Sequence, residues 1–209
     1  MTKEETLHQI DNNIKHCTKC GLCKTAKNPV YGEGNINADI VFIGEAPGAT
    51  EDETGRPFVG RAGKLLEALL KALHMSREEV WIGNIIKHRP PDNRDPLPEE
   101  IAVCEPYLTL QLETIRPKLI VTLGRFSMNY FYKEGKITRD HGRLIKINGR
   151  YVYPLYHPAA GLRNGSMLEA LKSDFAKIPL VLKKINLEKE SETKIDHVIT
   201  ESGQLGLGL

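Results

Sequence analysis

The apolar run Ile40-Val41-Phe42-Ile43 opens directly into GEAPGATEDETGRPFVGRAG, Gly44 to Gly63, which combines glycines, acids and an aromatic side chain in one segment. A short unbroken apolar run bounded by turn residues reads as a strand buried on both faces. The loop at the carboxyl end of such a strand is where open α/β sheets bind ligands. Here the glycines permit close backbone approach, Glu45, Glu51, Asp52 and Glu53 supply carboxylates, and Phe58 supplies a flat apolar face.

The rest of the chain alternates in the same way. Strands are expected at 39–43, 80–85 and 118–123, with helices near 62–73, from Pro98 and near 125–132. Leu65, Leu66, Leu69, Leu70 and Leu73 mark one buried helix face, and Asn148-Gly149 between 143–148 and 151–155 is a hairpin signal. An N-terminal helix over 3–16, with Leu7, Ile10 and Ile14 inward, runs into the cysteines. Strands alternating with helices predict a three-layer α/β/α sandwich around a mainly parallel sheet, a single domain spanning residues 1–182. The loops 44–58, 84–89 and 156–163 each follow a strand and are expected to meet at one rim. From 183 to 209 the periodicity fades, and a mobile tail is expected. Its end, Gln204 to Leu209, is a candidate docking peptide for a sliding clamp, although it lacks the paired aromatics of such peptides.

With 209 residues, 40% hydrophobic and 27% charged, the composition is that of an ordinary globular protein. No apolar run approaches the roughly 18 residues of a membrane span, and the N-terminus has no signal-peptide pattern, so a cytoplasmic monomer without membrane contact is expected. A net charge of +2 does not by itself announce a nucleic-acid binder. Contact with phosphates would come from local cations such as Lys24, Lys27, Arg56, Arg61, Lys64, Lys87, Arg89, Arg94 and Arg163, most of which also suit a solvated mixed-charge surface.

Cys17, Cys20 and Cys23 form CTKCGLC, and Cys104 stands apart in VCEPYL. In a chain of cytosolic type, such spacing points to metal or cluster ligation before disulfides. Thiolates so placed can share an iron-sulfur cluster, and with one histidine they would equally make a Cys3His zinc site.

The GEAPG…ED…GRPFVG loop resembles the first active-site motif of the uracil-DNA glycosylase superfamily, in the form of its family 4, iron-sulfur branch. WIGNIIK around Asn84, RPPDNRDPLPEE from Arg89 to Glu100 and HPAAGLRN from His157 to Asn164 follow in that family's order, and the resemblance covers roughly residues 14 to 180. It implies a DNA repair enzyme that hydrolyses the N-glycosidic bond of uracil in single- or double-stranded DNA and carries a 4Fe-4S cluster. Phe58 would stack on the flipped base, Asn84 would read its Watson-Crick edge, and His157 would donate to uracil O2. Each also has a plainer reading, as a core phenylalanine, a turn-capping asparagine and a structural histidine. Glu51 would position water and Glu45 would crowd a thymine methyl, with an exchange of these roles left open. Gly48 and Gly60 would offer amides to DNA, Leu162 would wedge into the gap left by the base, and Arg163 would meet phosphate.

The chain departs from the family pattern where the third cluster cysteine is expected, because it has His88 there. The ligand set implied is Cys17, Cys20, His88 and Cys104, with Cys23 as the alternative donor. A DNA-crosslinking branch is similar in having histidine at this place but adds a KRRIH-type insertion that this chain lacks, which implies turnover rather than self-trapping. The alternatives are that crosslinking relative and an iron-sulfur DNA-binding or electron-transfer protein without catalysis.

Overall fold

A computed structural model describes residues 1–204, with side chains described through Ser191. Helix α1 (Lys3–Lys15) begins with a reciprocal cap in which the Thr2 hydroxyl accepts from Glu5 N–H and Thr2 N–H donates to the Glu5 carboxylate. Strands β1 (Glu33–Gly34) and β2 (Ile40–Gly44) follow, then helices α2 (Ala49–Thr54) and α3 (Arg61–Ala72), strand β3 (Trp81–Asn84) and helix α4 (Pro98–Ile115). Strand β4 (Leu119–Leu123), helices α5 (Arg125–Phe131) and α6 (Ile137–Asp140), and strands β5 (Ile145–Ile147) and β6 (Arg150–Leu155) lead to helices α7 (Pro158–Gly161) and α8 (Gly165–Phe175).

The sheet order is β1-β3-β2-β4-β6-β5, with β3, β2, β4 and β6 parallel and the short edge strands β1 and β5 antiparallel. Alternation along β2 builds the layers. Val41 and Ile43 join α1 (Ile10, Ile14) and α4 (Leu108, Leu112) in one apolar cluster, whereas Phe42, between them, stacks on Phe175 of α8 with centroids 5.5 Å apart. The three-layer α/β/α expectation is met. Asn148 (φ 48) and Gly149 (φ 75) take the paired left-handed conformations of a type I′ hairpin, as expected from their identity.

After β2 the chain passes to β3 on one side, whereas after β4 it passes to β6 on the other. The connections therefore diverge between β2 and β4, the place where an open parallel sheet leaves a crevice at its carboxyl edge.

The compact unit Met1–Ala176 holds all these elements, and a second unit from Lys177 holds helix α9 (Ile178–Gln204). The segment from residue 183, expected as a mobile tail, is helical as far as Gln204. KKINLEKESETK is rich in strong helix formers, which need no apolar stripe to take that form. Beyond Gln204, the candidate clamp peptide lies outside the described residues.

Phe42 is fully buried. Phe42→Ala is expected to lower unfolding free energy by about 3–5 kcal/mol in chemical denaturation, and a loss within about 0.5 kcal/mol would contradict this packing.

Candidate active site

A cavity of about 630 Å³ occupies the crevice, lined by Glu45, Gly48, Glu51 and Phe58 after β2, Asn84 of β3, Arg125 after β4, and His157 and Arg163 after β6. Of the loops expected to converge, 44–58 and 156–163 do so, whereas 84–89 brings only Asn84 to the cavity. Leu162, 41% exposed, stands outside this lining, beside Arg163.

Gly44 and Asn84 pair across β2 and β3 at the ends of the strands. A Cβ at position 44 would come within 2.5 Å of both Asn84 Oδ1 and Phe58 Cζ, so glycine is what lets these two side chains close over the strand end. Asn84 is buried, and its Oδ1 has no hydrogen-bond partner. A buried acceptor left this way costs about 1–3 kcal/mol. Asn84 also borders the cavity.

Phe58 is buried against the cavity with a left-handed backbone (φ 52), and its ring lies 5.8 Å from that of His157. His157 Nδ1 accepts from Ala159 N–H at 3.1 Å and so caps α7. Burial pushes its pKa down to about 4, with Arg163 acting the same way and Glu51 opposing. A neutral ring that accepts at Nδ1 carries its proton on Nε2, which makes that nitrogen a donor.

Glu51 Oε1 accepts from Val59 N–H (2.9 Å) and Gly60 N–H (2.7 Å), joining α2 to the start of α3. Its other oxygen, Oε2, lies against Gly48 on the cavity wall. The Gly60 amide therefore points into the protein, toward Glu51, and not outward to a phosphate. Glu45 has its carboxyl pushed up to about 7, chiefly by burial and secondly by the Asp95 carboxylate, with Arg125 opposing.

Cys17, Cys20 and Cys23 sit at the turn after α1, where Cys23 Sγ donates to Cys20 carbonyl oxygen at 3.2 Å. Cys104 is buried in α4 and packs in the same apolar cluster as Cys17 and Cys20. Burial raises the pKa of the Cys20 and Cys104 thiols, and Cys17 adds to the shift of both. Cys17, Cys23 and His88 border a separate hollow of about 380 Å³. Among the described residues, no three Cys, His, Asp or Glu side chains gather as they would around a single ion.

Several residues outside the expected set build these sites. Asp52, expected only as a loop or helix-capping acid, is buried and accepts from Lys27 N–H (2.8 Å) and Asn28 N–H (3.3 Å), clasping the cysteine-bearing loop to α2 next to Glu51. Lys87 is no phosphate contact, because it is fully buried and donates to Asn84 carbonyl oxygen (2.9 Å) and Gln111 Oε1 (2.8 Å). Asn93, Arg94 and Asp95 of the proline-rich run line the cavity. The Asp-Asn pair after two prolines was the available signal, since both Asp92 (φ 53) and Asn93 (φ 54) turn left-handed.

Residues 31–180 match the uracil DNA glycosylase superfamily, and the chain belongs to it. It is 47% identical to a Saccharolobus solfataricus protein named type-4 uracil-DNA glycosylase, over 83% of this chain and 85% of that one. Proteins of the same name from Archaeoglobus fulgidus (46% identical, 83% and 92% covered) and Thermotoga maritima (46%, 79% and 88%) are similarly close.

The depressed pKa of His157 makes a pH prediction. Its folded value of about 4 lies below the ordinary 6.5, so between these values the unfolded chain binds the extra proton. This contribution to stability is complete above about pH 6.5 and is lost as pH falls through about 4. The wild type is expected to lose more stability than His157→Ala over that window, measured by urea unfolding at stepped pH, and parallel losses would contradict the assignment.

Proposed function

We propose that this protein is a monofunctional uracil-DNA glycosylase of type 4, acting on single- or double-stranded DNA to leave an abasic site. The observation that carries the reading is Asn84, buried with an unpartnered Oδ1, in the wall of the same cavity as Phe58 and His157. Uracil presents an N3–H donor that this oxygen can accept, whereas cytosine presents an unprotonated N3 and leaves the orphan in place. Phe58 stacks on the extruded base, a contact worth about 1–3 kcal/mol.

In the reaction, the bond from C1′ to uracil N1 breaks and its electron pair leaves with the base. His157 Nε2–H donates to uracil O2 as charge gathers there, without a formal proton transfer. A water on Glu51 Oε2 attacks C1′, and its proton passes through the carboxylate to solvent. The fixed Glu51 Oε1 holds that carboxylate still. Glu45 takes the selectivity role in this reading, and burial raises its carboxyl pKa to about 7. Among the described residues no lysine lines the cavity, in keeping with hydrolysis and not amine-driven strand cleavage.

The same reading gives Cys17, Cys20, His88 and Cys104 a 4Fe-4S cluster. Cys17 and His88 border the hollow together with Cys23, Cys20 and Cys104 pack with Cys17 in one apolar cluster, and thiolates with an imidazole are a donor set that an iron-sulfur cluster accepts. Bound there, the cluster acts as a structural staple between the turn after α1, the segment after β3 and α4. DNA contacts are assigned to the Gly48 amide, Arg163 and the exposed Leu162 as wedge, and Gly60 contributes by shaping the loop. The protein acts as a monomer in this reading, and a clamp contact through its last residues remains part of the proposal. No helix among the described residues is long and apolar enough to cross a membrane.

A labelled oligonucleotide carrying one uracil, treated with enzyme and then alkali, should be cut only after alkali. Glu51→Gln and His157→Ala should each slow excision by about 10²- to 10³-fold. An uncut oligonucleotide would leave a binding or redox protein, and a covalent adduct would indicate crosslinking chemistry. For the cofactor, His88→Ala should lose iron content and visible absorbance while Cys23→Ser keeps both, and the reverse pattern would make Cys23 the fourth ligand.

A further inference from the structure

Phe58 is held in its left-handed conformation from outside the cavity. The Arg77 guanidinium donates through Nη1 to Phe58 carbonyl oxygen (2.9 Å) and through Nη2 to Pro57 carbonyl oxygen (2.7 Å). The same Nη2 reaches Glu33 Oε1 at 2.6 Å, and Glu33 is held in turn by Arg56. Arg77 lies in the short 3₁₀ turn Arg77–Glu79, whose start is fixed by Ser76 N–H donating to Glu79 Oε2 at 2.7 Å. On the opposite side, a Cβ at Gly63 would overlap the Phe58 carbonyl group. Glu51 closes the frame by holding the amides of Val59 and Gly60, the next two residues.

A non-glycine residue at positive φ persists only where its surroundings over-determine it, and such strain gathers at functional sites. Here the strongest restraint is a nearly buried cation, its side chain 12% exposed, aimed at the carbonyls of the strained residue and its neighbour. The Arg77 Nε is buried without a partner, so the geometry favours the two-carbonyl grip over full satisfaction of the guanidinium. Arg77 does not line the cavity.

We infer that Arg77 is a positioning residue for base recognition, setting the plane of the Phe58 ring on which the extruded pyrimidine stacks. The inference rests on the glycosylase reading of the cavity. A lysine could keep the ion pair with Glu33 but would not span two carbonyls with a rigid fork. The effect should therefore depend on guanidinium geometry and on the presence of the Phe58 ring.

The test compares Arg77→Met and Arg77→Lys, each alone and in a Phe58→Ala background, by kcat/KM on a uracil oligonucleotide. Inhibition by free uracil is measured in the single variants, and thermal unfolding reports the folded fraction. Arg77→Met is expected to lower kcat/KM about tenfold and to weaken inhibition by uracil in parallel, with Arg77→Lys recovering only part. In the Phe58→Ala background, the same changes should alter kcat/KM by less than about twofold, because the ring through which Arg77 acts is gone. Equal losses in both backgrounds, or unchanged inhibition by uracil, would overturn the inference while leaving the glycosylase reading intact. If Arg77→Met does not fold, Arg77→Lys carries the same cycle. A wild type that neither excises uracil nor is inhibited by it would overturn the glycosylase reading and this inference together.

Discussion

The parallel pairing of β2 with β3 sets Gly44 beside Asn84 at the carboxyl edge of the sheet, and the cavity is built outward from that pair. Because position 44 lacks a Cβ, the Phe58 ring and Asn84 Oδ1 can both occupy the space beside it. The amide's own strand lies one in from the sheet edge, between β1 and β2, and its pairing with β2 fixes the backbone that carries the amide. Behind it, the buried Lys87 holds the Asn84 carbonyl and ties the end of β3 to α4.

The remaining polar groups are deployed so that each keeps one face for the cavity. Glu51 uses one oxygen to hold the loop and leaves the other against Gly48. His157 uses Nδ1 to cap α7, which fixes its proton on Nε2. Asp52, next to Glu51, instead faces the cysteine-bearing loop. This clasp ties the cysteine-bearing loop to the helix that carries Glu51.

Much of this was legible in the sequence because the strands of a parallel sheet are short apolar runs and their loops carry the turn residues. The runs at 40–43 and 119–123 and the Asn148-Gly149 turn gave elements that the structure has in place. Glu45, Glu51, Phe58, Asn84 and His157 were legible as candidates because each stands in a loop after, or at the end of, an apparent strand. What escaped was tertiary. Nothing local distinguishes Lys87 from a surface lysine until α4 covers it, and Arg77 meets Phe58 only because the turn after α3 folds back. Helix α2 escaped because its six residues lie inside a glycine-bounded loop and lack an apolar stripe. Helix α9 escaped because helix-forming composition without periodicity reads as a tail.

The central claim is that the Asn84 amide reads the N3–H edge of a pyrimidine. Calorimetric titration of the wild type with free uracil and with 3-methyluracil tests it most directly, since the two ligands differ in that donor. Saturable binding of uracil, with 3-methyluracil weaker by at least about tenfold, is the predicted result. Equal affinity for both, or binding of cytosine as tight as that of uracil, would contradict the account.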